Sequence, residues 1–186
     1  MGILVNNVGV AYDYPKYYHE VNEQMCDRLL NINITSVLEM TRIVLPKMMK
    51  NNRGAIVNVA SISAVVPVAL LSVYSASKAF IDFFSRNLSV ECNNNSIIVQ
   101  SLTPVLVLSN MIRINKPTLF IPSPTKFAKQ AVNTIGLSDR TTGYWPHELQ
   151  LIYIDLMPSF WTQAEMFNTC KRLRASAIKA GQKKDN

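Results

Sequence analysis

Glycine is scarce in this chain of 186 residues, and the few glycines lie far apart. They stand at positions 2, 9, 54, 136, 143 and 181. A loop that wraps around the phosphates of a dinucleotide needs several closely spaced glycines, because its backbone must turn tightly and approach the phosphates. The chain itself therefore contains no phosphate loop of the Gly-x-Gly-x-x-Gly or Gly-x-x-x-Gly-x-Gly type.

Cysteine is also rare, and its three residues are Cys26, Cys92 and Cys170. An odd number of cysteines argues against a disulfide framework, and their spacing matches no metal-binding motif. We therefore expect free thiols that pack as small side chains in a protein of a reducing compartment, and no metal site.

Uninterrupted apolar runs are missing as well. The longest stretch without a charged residue covers residues 54–77, which is nominally long enough to span a bilayer. It contains Asn58, Pro67 and five serines, however, and it divides into a strand, a turn and the start of a helix. We predict no membrane-spanning helix there. The first residues also lack the features of a secretory signal, and we expect none.

Positive charge is concentrated at one end of the chain. The net charge is +7, and residues 171–186 contain six basic residues against one acidic residue. A basic segment of this kind is a solvated end or a surface attracted to anionic lipids, at about 1 kcal/mol per basic residue close to the membrane. Because no nucleic-acid-binding module accompanies the charge, we expect no nucleic acid partner.

The most informative pattern joins a strand to a helix. A β-branched run over residues 54–61, opened by a glycine, predicts a buried strand that ends at Ser61. Helical spacing begins near residue 72 and places Tyr74 and Lys78 four positions apart, so both lie on one face of a helix.

These residue types suit proton transfer to an oxygen atom. A nearby ammonium favours the phenolate, so we expect Lys78 to lower the pKa of Tyr74 from about 10. A phenol tuned in this way exchanges a proton with an alcohol or carbonyl oxygen, which the Ser61 hydroxyl would hold. The pattern predicts an acid/base site for carbonyl reduction or alcohol oxidation. Tyr12 and Lys16 have the same spacing, but an intervening proline makes a helix there unfavourable.

Further features stand in order around this pattern. Asn-Asn-Val-Gly occupies residues 6–9, Asn33 lies inside a predicted helix, and Pro-Val-Leu-Val-Leu-Ser occupies residues 104–109. Together with a serine thirteen residues before Tyr-x-x-x-Lys, these motifs resemble the short-chain dehydrogenase/reductase family, although valine replaces glycine at position 105. The segments GILVNNVG, RTTGYW and INKPTLFIPSP are similar to its branch of 17-beta-hydroxysteroid dehydrogenases and very-long-chain 3-oxoacyl-CoA reductases.

The resemblance implies a reaction and a set of roles. The reaction is NADPH-linked reduction of a lipid ketone, either a 3-oxoacyl-CoA or a 17-ketosteroid, with NAD left open as the cofactor. Tyr74 would donate the proton and Lys78 would hold the nicotinamide ribose. Ser61 would fix the carbonyl oxygen and Asn33 would support a water relay, so Ser61 and Tyr74 would bind the substrate. The residues implied in cofactor binding are Asn6, Gly9, Tyr74, Lys78, Pro104, Val107 and Ser109.

The order of strands and helices predicts an α/β fold with a doubly wound parallel sheet, Rossmann-like, and the site at the carboxyl ends of the strands. By resemblance, the first strands and the glycine-rich loop of the family are missing, which would leave one edge of the strand at residues 3–5 bare. We divide the chain into residues 1–147, the C-terminal part of the dehydrogenase domain, and residues 148–186, an apolar segment with a basic tail.

Several alternatives stay open. The family implies an enzyme, but a chain without a phosphate loop could instead be a non-catalytic interaction protein. Residues 149–167 are rich in large apolar side chains, which favours a membrane surface, a hydrophobic lid, a dimer face or simple core cover. Lys183 and Lys184 resemble a dilysine signal of the endoplasmic reticulum, with the cytoplasm as the alternative location. His147, beside a proline, is expected at the surface of a helix start.

Overall fold

Aliphatic runs form a parallel four-stranded sheet at the centre of the protein. The structure, a computed structural model, describes residues 2–93, 96–109 and 116–182. The sequence pattern does not indicate the fourth strand, Arg140–Thr141, because a strand of two residues has no periodicity of its own. The strands predicted at residues 3–5 and from residue 54 are confirmed, although the second ends at Val59 and not at Ser61. In spatial order the strands are β1 (Ile3–Asn6), β2 (Gly54–Val59), β3 (Ile97–Leu102) and β4 (Arg140–Thr141).

Helices connect the strands and cover both faces of the sheet. The helix predicted around Asn33 is present as two α-helices joined by one π-helical turn, Asn31–Thr35. The predicted boundary between residues 147 and 148 falls inside a helix, and the two-part division of the chain stays a prediction. The helices are α1 (Glu23–Leu30), α2 (Ser36–Asn51), α3 (Ser72–Cys92), α4 (Pro124–Val132), α5 (Trp145–Leu156) and α6 (Ser159–Gln182).

Two layers of apolar side chains hold the helices to the sheet. On one face, Leu4 and Ile56 of the sheet are buried in a cluster with Met48 of α2 and Leu88 of α3. On the other face, Val57 and Leu102 pack with Ala131 of α4. Each large aliphatic side chain buried in this way contributes about 1.5–3 kcal/mol. The predicted doubly wound architecture is therefore confirmed.

The edge of the sheet at β1 is open. Its backbone pairs with β2 in parallel register, and no other strand lies beside it among the described residues. Only Leu4 points into the core, whereas Ile3 and Val5 are 58% and 54% exposed. The bare apolar edge expected from the sequence is present, and such an edge is prone to pair with added chain.

The C-terminal helix α6 packs back onto the domain. Phe167 and Cys170 contact Val68 and Leu70 of the segment before α3. Arg174 donates to the carboxylate of Glu20 at 2.6 Å. In the part of the chain that the structure describes, no helix combines the length and apolar character needed to cross a bilayer.

Gly54 provides a test of the packing between α2 and β2. A Cβ atom at this position would lie 2.5 Å from Sδ and 2.6 Å from Cγ of Met48, which is itself fully buried. We expect Gly54→Ala to lower the free energy of unfolding by about 1–3 kcal/mol, the usual cost of overpacking a core. Urea unfolding followed by circular dichroism measures the change. Gly2→Ala is the control, because nothing lies within 4 Å of a Cβ there, and equal stability of the two variants would contradict the prediction.

Candidate active site

Ser61 lies just beyond the carboxyl end of β2, where neighbouring backbone groups fix its position. The Ala60 amide donates to Leu102 O at 2.8 Å, and the Ile62 amide donates to Pro104 O at 2.9 Å. These bonds tie the segment after β2 to the segment after β3. The Ser61 side chain is buried, its Oγ accepts from the Ser63 amide at 3.2 Å, and its hydroxyl lies close enough to the Tyr74 phenol to lower the pKa of that group. The structure therefore brings together two of the predicted site residues.

Tyr74 lies in the first turn of α3, partly buried beside Ser61. Burial raises the pKa of Tyr74 above its ordinary value, and the neighbouring Ser61 hydroxyl only partly opposes this effect. The expectation that Lys78 lowers the pKa of Tyr74 is therefore wrong for this structure. Desolvation of the phenolate outweighs the favourable effects, and the Lys78 ammonium is directed to a backbone carbonyl.

Lys78 lies one turn after Tyr74 and is buried. Its Nζ donates to the carbonyl oxygen of Val59, the last residue of β2, at 2.9 Å. Burial lowers the pKa of Lys78 to about 8, because the charged form loses its hydration. One of the three donors of the ammonium is used by this carbonyl, so two remain for other partners.

Asn33 lies in the π-helical turn, with only 1% of its surface exposed. Its Oδ1 accepts from the amide of Val10 at 2.8 Å, and its Nδ2 donates to Val10 O and to Ser77 Oγ, each at 3.0 Å. Asparagine is a weak residue for a helix interior, and single π-helical turns are frequent at functional sites. Asn33 therefore joins the loop after β1 to α3, next to Lys78.

Gly9 lets the backbone after β1 pass close to these groups. A Cβ atom at Gly9 would lie 3.1 Å from Lys78 Nζ and 3.4 Å from Asn33 Oδ1. The first distance is tighter than most side-chain contacts, so a residue other than glycine would push the ammonium aside by a few tenths of an ångström. Gly9, Asn33 and Lys78 thus form one corner of the site.

Asn6 has a different environment from Gly9. Its Nδ2 donates to Asn58 Oδ1 at 2.8 Å, and Asn58 in turn donates to Ser85 Oγ at 2.9 Å. The Asn6 side chain thus belongs to a polar chain that runs from β1 through β2 to α3. Its contact with a cofactor stays a prediction.

The segment of residues 104–109 follows β3, as the sequence predicts. Pro104 and Val107 are partly buried and Ser109 is exposed. The Val105 amide donates to Nδ1 of His147 at 3.3 Å. His147 is 0% exposed, so the expectation that it lies at the surface is wrong. A lone histidine after a proline gives no signal of this burial, which arises only when α5 packs against the loop.

The arrangement suits the nicotinamide end of a dinucleotide. Lys78 offers unused donors for hydroxyl groups, and Gly9 leaves the space that a side chain would fill. The neighbouring hydroxyls of Ser61 and Tyr74 can hold and protonate one oxygen atom. The chain offers no glycine-rich loop for the pyrophosphate, so its own residues match only this end of the cofactor.

Comparisons with known proteins agree with this geometry. A family model described as short chain dehydrogenase matches residues 1–118. The very-long-chain 3-oxoacyl-CoA reductase of Homo sapiens is 43% identical over 185 residues, which are 98% of this chain and 59% of that reductase. This chain therefore spans only 59% of the length of that curated relative.

Solved structures share the fold. A 3-ketoacyl-(acyl-carrier-protein) reductase from Brucella melitensis, complexed with NADH, has a TM-score of 0.67 and 26% identity, covering 77% of this chain and 64% of that one. A short-chain dehydrogenase from Sphingobium yanoikuyae in complex with NADPH has a TM-score of 0.65 and 27% identity, covering 72% and 53%.

The buried ammonium predicts a pH-dependent stability. Lys78 has a pKa of about 8 in the folded protein against an ordinary value of 10.5, so between these values the unfolded chain binds more protons. The free energy of unfolding should rise with pH across this window. Lys78→Met, which removes the buried charge, should be more stable than the natural protein at pH 7 by about 1–3 kcal/mol.

Chemical denaturation at a series of pH values measures this difference. The advantage of Lys78→Met should shrink as the pH rises from about 8 to 10.5. Lys47→Met is the matched control, since Lys47 is exposed on α2 and its removal should change stability little at any pH. A constant difference between the natural protein and Lys78→Met across the window would show that the ammonium is solvated.

Proposed function

The chain belongs to the short-chain dehydrogenase family, and we propose that it serves in the NADPH-linked reduction of a ketone on a lipid. A 3-oxoacyl-CoA is the favoured substrate class, with a 17-ketosteroid as the second. The similarity to the human very-long-chain 3-oxoacyl-CoA reductase supports this choice. The single observation that carries the proposal is the pairing of Ser61 with Tyr74 beside the buried Lys78.

Each residue has a role that its environment supports. The raised pKa of Tyr74 keeps the phenol protonated at neutral pH, which is the form that donates a proton to a carbonyl oxygen. The Ser61 hydroxyl holds that oxygen. Lys78 binds hydroxyl groups of the cofactor ribose through its unused donors. Asn33 keeps the loop of Gly9 and Val10 against α3, and its predicted role in a water relay is part of the proposal.

When bound, a nicotinamide cofactor supplies the hydride. The residues of this chain that would hold it are Gly9 and Lys78 on one side and residues 104–109 on the other. Asn6, Pro104, Val107 and Ser109 complete the proposed contacts. The solved relatives with NADPH or NADH support a nicotinamide cofactor of either kind, and NADPH is the form that we propose.

A non-catalytic interaction protein is the second candidate. The observation that favours it is the exposure of the apolar residues Ile3 and Val5 on β1, the edge strand of the sheet. In this alternative the site geometry persists, but the chain does not capture a cofactor firmly. Cofactor binding and ketone turnover, measured separately, distinguish the two candidates.

We expect the 186-residue chain alone to bind NADPH weakly, as followed by nicotinamide fluorescence, because it lacks a pyrophosphate loop. The decisive protein is a chimera in which this chain replaces the matching part of the human reductase. It should bind NADPH and reduce a long-chain 3-oxoacyl-CoA. In the chimera, Tyr74→Phe should lower kcat on the order of 10²–10⁴-fold, because it removes the proton donor, and should weaken NADPH binding far less.

Tyr18→Phe is the control, since this tyrosine is 68% exposed on the 3₁₀ turn Tyr18–Glu20. A chimera that folds and binds NADPH but reduces no ketone would support the non-catalytic alternative. Equal turnover by Tyr74→Phe and Tyr18→Phe would overturn the assignment of the proton donor.

We also propose that the junction of α5 and α6 binds a membrane surface, at the cytosolic face of the endoplasmic reticulum. Leu156, Phe160 and Trp161 are 79%, 66% and 62% exposed at this junction, and exposed basic residues follow along α6. Apolar side chains beside a basic helix suit the interface of an anionic bilayer. Lys183 and Lys184 lie outside the described residues, so the dilysine signal stays a prediction from the sequence.

Vesicle sedimentation tests this surface. We expect the protein to bind vesicles of phosphatidylserine and phosphatidylcholine, and replacement of Leu156, Phe160 and Trp161 by serine should weaken binding at least about tenfold through lost apolar burial. The matched control replaces similarly exposed apolar residues elsewhere by serine, namely Val90 of α3, Val132 of α4 and Leu137. Equal vesicle binding by the two triple variants would contradict the proposal.

A homodimer is a further part of the proposal. Ile43 of α2 and Phe83 of α3 are 63% and 65% exposed on the outer faces of these helices. Exposed large apolar side chains of this kind are common at protein interfaces. They offer a face on which a second copy could pack.

A further inference from the structure

His147 is buried at the start of α5 and uses both nitrogens of its ring. Nδ1 accepts from the amide of Val105 at 3.3 Å, and Nε2 lies 3.2 Å from the carbonyl oxygen of Phe120. An acceptor at Nδ1 and a donor at Nε2 define the neutral ring with its proton on Nε2. Burial lowers the pKa of His147, which favours this neutral form.

The two partners of His147 belong to opposite ends of one segment. Val105 lies just after β3, in the stretch that carries the proposed cofactor contacts. Phe120 lies in residues 116–122, which lead into α4. Two more hydrogen bonds hold these ends. Leu108 N donates to Pro122 O at 3.0 Å and joins the two ends directly. Tyr144 Oη, just before α5, donates to Leu119 O at 3.0 Å.

We propose that His147 is a positioning residue that clamps residues 104–109 to residues 116–122 and so fixes the wall of the site opposite Tyr74 and Lys78. The clamp itself rests on geometry alone, whereas its effect on ketone reduction rests on the proposed function. A phenylalanine would fill the same space between the rings of Phe127 and Tyr144, whose centroids lie 6.0 and 5.0 Å away. Packing alone therefore does not require an imidazole with two bonded nitrogens.

Three substitutions separate the two arms of the clamp. His147→Asn places an amide oxygen near the position of Nδ1 and keeps the bond to the Val105 amide only. His147→Gln places an amide nitrogen near the position of Nε2 and keeps the bond to Phe120 O only. His147→Phe keeps neither bond. Phe127→Leu is the control, because it disturbs the packing around the ring and removes no hydrogen bond.

Hydrogen exchange of backbone amides, resolved by residue, provides the measurement. In His147→Phe, the Val105 and Leu108 amides and the amides of residues 118–121 should exchange about tenfold faster, which corresponds to one lost hydrogen bond per arm. In His147→Asn, only residues 118–121 should accelerate. In His147→Gln, only Val105 and Leu108 should accelerate. Amides of β2 and β3 report global stability in every variant.

Unchanged exchange at both arms in His147→Phe would overturn the clamp, as would equal acceleration in Phe127→Leu. The natural protein provides a measurement that needs no variant: the ring ¹⁵N shifts of His147 should show the proton on Nε2, and a proton on Nδ1 would also overturn the clamp. If the arms loosen as expected but the chimera with the human reductase reduces no ketone, the proposed function falls and the clamp stands. If the chimera is active and the arms do not loosen, the clamp falls and the proposed function stands.

Discussion

The burial of a positive charge at the end of β2 is the constraint on which the site depends. For Lys78 to reach the carbonyl of Val59, α3 must approach the sheet closely, and the loop after β1 passes so near the ammonium that a Cβ at Gly9 would make a tight contact with it. The depressed pKa of Lys78 reflects the folding stability that the protein loses by burying an ammonium there. An apolar residue would fit the core better, so this position is occupied for a reason other than stability.

The position of α3 is fixed by polar attachments on both sides of Lys78. Immediately before Lys78, the Ser77 hydroxyl accepts from Asn33 Nδ2 at 3.0 Å. One turn after Lys78, the buried carboxylate of Asp82 accepts from Ser101 Oγ at 2.6 Å and from Arg140 Nε at 3.1 Å. The short strand β4 thus holds α3 through Arg140. A helix attached at both points cannot slide along the sheet, so Tyr74 and Ser61 keep their pairing.

The sequence predicts the strands, the long helix α3 and the meeting of Ser61 with Tyr74, because strand ends and four-residue helical spacing follow from local geometry. It does not predict the direction of the Tyr74 pKa shift. Spacing tells which groups share a face, whereas the pKa depends on how much water the folded chain excludes. The burial of His147 and the pairing of β4 with β3 cannot be predicted from the sequence either, because both depend on contacts between segments that are distant along the chain.

The two walls of the site are held by different kinds of interaction. The wall of Asn33, Tyr74 and Lys78 belongs to helices packed on the sheet, with its charge and amide groups buried. The wall of residues 104–109 is held by neutral hydrogen bonds to His147 and to residues 116–122. Segments held mainly by a few hydrogen bonds loosen more readily than packed helices, so the loss of the His147 bonds is expected to loosen the second wall before the first. The proton donor lies on the first wall, and its position therefore depends on the packing of α3 and not on the clamp.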